Sequence, residues 1–181
     1  MTSLGSYAKT GTLDCNTLVT NNIKTNGNVL TSVYNQLILS AVETVGETNA
    51  PLKKWIIDPT VGGKGITINS TTGQIKVGET GLYMINFSAQ LANAQNFTST
   101  DVQLNKTPKG GTSTLQINSS YRDTATQTTA LTASTMTLSF ILKIDDVDDS
   151  FDLETKVTGI VTGTTSTATP AGTVAQIIKI L

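Results

Sequence analysis

Residues 73–91, GQIKVGETGLYMINFSAQL, constrain the fold more than any other stretch. From Tyr83 onward every second residue is apolar: Tyr83, Ile85, Phe87, Ala89 and Leu91, with Asn86, Ser88 and Gln90 on the opposite side. A period of two places alternate side chains on opposite faces of a strand, so the segment predicts a β-strand with one buried face. Ile75 and Val77 share a face of a preceding strand, and Gly78-Glu79-Thr80-Gly81 joins the two. Gly81 lets the backbone turn without steric cost just before the long strand.

The same alternation recurs along the chain. Met136, Leu138, Phe140, Leu142 and Ile144 alternate without a break, and Phe151, Leu153, Thr155 and Val157 follow after an acidic turn. Shorter strands are predicted at 36–42, 55–57, 66–68, 101–105, 113–122 and 174–181. Asp58-Pro59, the glycine-rich 62–65, Asn69–Gly73 and Lys106–Gly111 supply turn chemistry between them. No window carries a helical stripe. Threonine, β-branched and at home on pleated surfaces, is the commonest residue, 34 of 181. Eight or so short strands separated by turns predict a two-sheet sandwich. The strand at 174–181 is expected in the middle of a sheet, paired on both sides.

Residues 1–33 read differently. Leu13, Cys15, Leu18, Val19, Ile23, Val29 and Leu30 are diluted by Thr and Asn, with a turn signal at Asn26-Gly27. Such a segment cannot bury a core of its own, so it predicts an extended N-terminal arm that needs a partner surface. The sandwich domain is expected over 34–181.

Charge and composition exclude several functions. Charged residues make up 14%, the net charge is −1, and the cations are scattered singly apart from Lys53-Lys54. The basic footprint of a nucleic-acid binder is therefore missing. No stretch suits membrane insertion, and MTSLGSYAKTGTL has neither the basic start nor the apolar run of a signal peptide. The single cysteine, Cys15, cannot make an internal disulfide, and production in a reducing cytosol is expected.

Catalysis finds little support. Histidine, the commonest general base, is absent, and Cys15 has no imidazole to activate it. No enzyme activity and no cofactor are expected. The one chemical constellation is acidic: Asp145, Asp146, Asp148, Asp149 and Asp152 are candidate calcium ligands by density alone. Their spacing is not that of a helix–loop–helix calcium loop. The competing reading is a solvated hairpin loop that keeps a strand edge charged. An enzyme working through Asp148 and Asp149 would need a carboxylate pair facing a cleft. Tyr83, Phe87, Phe140 and Trp55 read as core rather than as a pocket lining. Leu82 and Met84 are large apolar residues on the otherwise polar side of the long strand, which suits contact with a neighbouring subunit. Leu13, Leu18 and Ile23 are the corresponding interface candidates in the arm.

Thr80–Ala89 resembles the Gly-x-Tyr-x-Phe-type strand of the tumour necrosis factor and complement-head jelly rolls. Thr137–Leu153 resembles their late hairpin and Val174–Leu181 their closing strand. The likeness covers about residues 55–181 and is sharpest in two hairpins. It departs where Asp145-Asp146 replaces the Gly-Asp of the late turn, and no collagen-like repeat precedes the head. The arm is similar to the Asn/Thr-rich connecting segments of viral fibre and capsid-associated proteins. Together these resemblances imply an all-β, single jelly-roll β-sandwich with an extended N-terminal arm. They imply a structural virion protein, a capsid vertex (penton) or minor capsid component. It would assemble with itself, a pentamer favoured over a trimer, and be anchored to other capsid proteins through the arm. It would be made in the host cytoplasm and reside in the virion. The alternative is a trimeric necrosis-factor-like head of a fibre or spike that binds a receptor or glycan.

Overall fold

The computed structural model describes residues 23–25, 28–30, 34–61, 63, 65–92, 99–122, 134–158 and 166–180. The chain divides into two units, Met1–Thr31 and Ser32–Leu181. In the first, β1 (Ile23–Thr25) and β2 (Asn28–Leu30) pair antiparallel, with Ile23 opposite Leu30.

Thirteen strands of the second unit are described. They are β3 (Tyr34–Leu39), β4 (Glu43–Val45), β5 (Ala50–Pro51), β6 (Trp55–Ile57), β7 (Ile66–Ile68), β8 (Ile75–Val77) and β9 (Gly81–Ala92). Then come β10 (Ser99–Thr107), β11 (Thr114–Arg122), β12 (Ser134–Ile144), β13 (Ser150–Thr158), β14 (Ser166–Ala168) and β15 (Val174–Lys179). They form two antiparallel sheets packed face to face, with no helix among the described residues. One sheet runs β11-β10-β13-β8-β7, with β5 also paired to β13. The other runs β4-β14-β9-β15-β3-β6, with β12 paired along the other side of β9. The fold is the expected all-β jelly-roll sandwich.

The alternation of β9 is realised residue by residue. Tyr83, Ile85, Phe87, Ala89 and Leu91 are buried, and the residues between them are half-buried on the outer face. From the other sheet Ile75, Val77, Val102, Leu104, Phe151, Leu153 and Val157 meet them. Trp55 stands edge-on to Phe87, with ring centroids 6.0 Å apart at 72°. Burying side chains of this size, at about 1.5–3 kcal/mol each, is what holds a chain without an internal disulfide together.

Three sequence expectations are corrected. The strand expected over 36–42 is Tyr34–Leu39. The chain bends at Ser40, whose N–H and hydroxyl both donate to the Lys54 carbonyl. The strand expected over 101–105 is nine residues long, because it is flanked on both sides by β11 and β13. The short strands β4, β5 and β14 were not anticipated. The strand at 174–179 does lie between two neighbours, β9 and β3.

Glycine is required at position 73. Its φ is +80°, and a Cβ there would stand 2.6 Å from the Leu52 carbonyl oxygen. The turn before β8 can therefore press against the segment that leads into β6.

Candidate interaction surface

The outer face of the larger sheet is organised in rows. Ladder register places Ile141, Met84, Ile178 and Tyr34 side by side across β12, β9, β15 and β3. All four are half-buried or exposed, Ile141 at 57% and Tyr34 at 38%. Leu82 and Ile180 extend this apolar end of the face, tied by the Ile180 N–H to the Leu82 carbonyl at 2.7 Å. Two residues further along lies a polar row: Ser139, Asn86, Gln176 and Gln36. Then Val174, Ile38 and Ile56 return to apolar chemistry across β15, β3 and β6. Leu82 and Met84 thus belong to a surface built from four strands, which the sequence does not reveal beyond those two residues.

Within the polar row some groups are already engaged. Ser139 Oγ lies 2.7 Å from Asn86 Oδ1. Gln36 accepts from the Tyr34 hydroxyl at 3.0 Å and donates to Asp58 at 2.8 Å. The hydroxyl and N–H of Thr60 hold the Asp58 carboxyl below its ordinary range, with help from Gln36 and against the effect of burial.

A second apolar feature lies where the two sheets meet at one side. There β11 and β12, an edge strand from each sheet, run next to one another. Ile117, Met136 and Phe140 are only partly buried, packed against the core from this side. Phe140 is therefore less enclosed than the sequence suggests, whereas Tyr83, Phe87 and Trp55 are buried.

The acidic constellation resolves into two separate arrangements. Four of its aspartates occupy the turn between β12 and β13, and each meets a lysine. Lys106 lies 3.2 Å from Asp145 and 3.0 Å from Asp149; Lys109 lies 3.3 Å from Asp146 and 3.1 Å from Asp148. Lys143 and Lys76 add contacts to Asp145 and Asp148. Asp149 is buried, and it accepts the N–H groups of Lys109, Asp145 and Asp146. Burial by itself would raise its carboxyl. The Lys109 amide, the Lys106 ammonium and the other two amides outweigh that and bring it down to about 2. Lys143 apart, these carboxylates are matched by lysines that lie far away in sequence, and among the described residues no group of three acidic side chains converges as a metal site. Asp148 faces an open cleft of about 280 Å³, lined also by Gln74, Lys76, Thr107, Lys109 and Ser150.

Asp152 stands apart, on the outward side of β13 opposite Asn105, which donates to it at 3.1 Å. Burial drives its carboxyl up to about 6, aided by Glu154 two residues along and opposed by Asn105. Glu154 in turn is engaged by Gln103, which also receives Asn49 at 2.7 Å.

Ile23 lies in β1, and Leu13, Leu18 and Cys15 fall outside the described residues.

No protein-family model matches the chain, and no curated protein matches it. Solved structures do. The Eiger TNF of S. frugiperda aligns with a TM-score of 0.65 at 13% identity, over 83% of this chain and 93% of that one. Murine APRIL at pH 5.0 aligns with a TM-score of 0.58 at 11% identity, over 82% and 99%. The fold is the necrosis-factor jelly roll. At these identities the likeness carries the fold alone. Neither of these structures is a capsid or vertex protein, so they lend the virion resemblance of the arm no support.

Proposed function

We propose that the protein is a non-enzymatic binding head that assembles with copies of itself, three in number, and presents its loops to a receptor or glycan. The observation that carries the reading is the apolar row Ile141–Met84–Ile178–Tyr34 on the outer face of a sheet. Soluble single chains rarely leave a contiguous apolar surface of this kind uncovered. The second apolar feature, at Ile117, Met136 and Phe140, lies elsewhere, where β11 and β12 run side by side. Two unlike surfaces on one chain make a head-to-tail contact, which gives a ring when the rotation between copies closes. The necrosis-factor fold favours a ring of three over the vertex pentamer. The virion remains the proposed location, on the composition of the arm alone.

Light scattering of the purified chain tests the reading. Three copies of the 19.0 kDa chain give 57 kDa, and five give 95 kDa. The expected result is 57 kDa, falling to 19.0 kDa for Met84→Asp with an unchanged far-ultraviolet spectrum. A mass of 95 kDa would return the vertex assembly to favour. A wild-type monomer, or a Met84→Asp variant that still associates, would overturn the self-assembly.

A further inference from the structure

We infer that the cleft between the β10–β11 turn and the β12–β13 turn seats a neutral sugar residue. The inference deepens the binding role proposed above by naming the class of ligand and the place that takes it. Every residue involved belongs to one chain, so the cleft is complete whether or not copies associate. It is also held in shape before anything enters. The buried Asp149 accepts the Lys109 N–H of the first turn at 2.9 Å and the Asp145 and Asp146 N–H groups of the second at 3.1 and 3.4 Å. One carboxylate thus joins two turns that are distant in sequence, and a gap of about 280 Å³ is left beside them. A site fixed in this way loses little freedom on binding.

The lining carries unspent hydroxyls. Ser150 is only 4% exposed and stands opposite Thr107 in the β10–β13 ladder. Its hydroxyl has no hydrogen-bonding partner among the described residues, and neither has the buried Thr107 Oγ1. A hydroxyl shut into a structure without a partner is costly, so it marks a place where a polar partner is due.

The charged groups select the ligand. Lys76 and Lys109 share Asp148 at 3.4 and 3.1 Å, and Lys109 also reaches Asp146 at 3.3 Å. Two cations and two anions cancel, so no net charge draws a free ion into the cleft. An ammonium nevertheless has three donors and a carboxylate about four acceptor positions, so both kinds of capacity stay in reserve side by side. The matching ligand is small, uncharged, and donates and accepts at neighbouring atoms. Adjacent hydroxyls of a sugar ring do this, and the unspent Ser150 hydroxyl can serve them in either sense. No aromatic side chain lines the cleft, so the ring is held by its hydroxyls and not by stacking. Binding at one cleft is then weak, and several copies in one assembly multiply it.

The full chain is tested on an array of neutral, sialylated and sulfated glycans, and by titration with methyl hexosides in saturation-transfer NMR. Binding to neutral glycans is expected. Gly110 has a φ of +65° and open space where a Cβ would stand, so Gly110→Asn adds a side chain at the cleft in a conformation that Asn adopts. It is expected to abolish binding, and Ser150→Ala to weaken it about tenfold. Thermal melts establish that each variant is folded. Met84→Asp is expected to lose the array signal with the assembly and to keep the methyl hexoside. A signal confined to sialylated or sulfated glycans, no binding to any neutral one, or equal binding by wild type and both cleft variants overturns the sugar site and leaves the self-assembly standing. A monomeric wild type that binds methyl hexosides overturns the self-assembly and leaves the sugar site standing.

Discussion

Two aspartates three residues apart respond to pH in opposite senses, and the cause is what each one touches. Asp149 is lowered to about 2, so its ionised form is favoured by the fold; that stabilisation is present above about pH 4 and is lost as pH falls toward 2. Asp152 is raised to about 6; the stabilisation linked to its proton is complete below about pH 4 and is lost as pH rises through 6. Asp152→Asn should therefore raise the melting temperature at pH 8, on the order of 3 °C, with no gain at pH 4. Calorimetry at the two pH values checks it, and an equal effect at both would remove ionisation as the cause. Neither role is legible in the sequence. Asp152 occupies an outward strand position, where alternation predicts exposure; only the neighbouring Asn105, Gln103 and Glu154 make it a buried site. The lysines that meet the turn aspartates include Lys106 and Lys109, some forty residues away along the chain, so a reading by local spacing finds acids without their partners.

Elements long enough to show a period were legible; those that are not long enough were not. The twelve residues of β9 and the eleven of β12 declare their inward faces outright. The two or three residues of β4, β5 and β14 cannot, and Ala50-Pro51 and Ser166-Thr167-Ala168 lack the bulky apolar residues that mark a strand. These pieces exist because neighbouring ladders offer them unpaired backbone groups. The β12–β13 hairpin shows a further dependence on tertiary contact. Its turn has no glycine, and Asp149 does the closing by gathering three N–H groups and the Lys106 ammonium. Asp149→Ala strands those donors in a buried place and should cost about 2–3 kcal/mol in urea unfolding at neutral pH. A loss below about 0.5 kcal/mol would mean that the turn holds without its acid.

At the scale of the whole molecule, the two apolar surfaces predict a particular kind of complementation. Met84→Asp spoils the sheet face, and Met136→Lys spoils the side where β11 and β12 meet. Each variant alone is expected to be monomeric. Mixed in equal amounts, the intact side of one can still engage the intact face of the other, and the product stops at two copies, 38 kDa from two 19.0 kDa chains. A mixture that remains monomeric, or a single variant that still forms the full ring, would argue against a head-to-tail contact. The sequence pointed to this surface through Leu82 and Met84. The rows that complete it come from β15, β3 and β12, strands whose register is set only when the sheet is assembled.

The position of β15 also governs when this molecule can be made. β3 and β9 are not bonded to each other; β15 lies between them and bonds to both. On a ribosome, Tyr34–Leu39 and Gly81–Ala92 emerge long before Val174–Lys179, so the larger sheet must wait with its centre open. During that interval the apolar faces of both waiting strands are exposed to whatever else is nascent nearby, other copies on the same polysome included. A chain with this topology keeps that gap open until Val174–Lys179 arrives, and slowing translation ahead of Val174 should raise the fraction that aggregates.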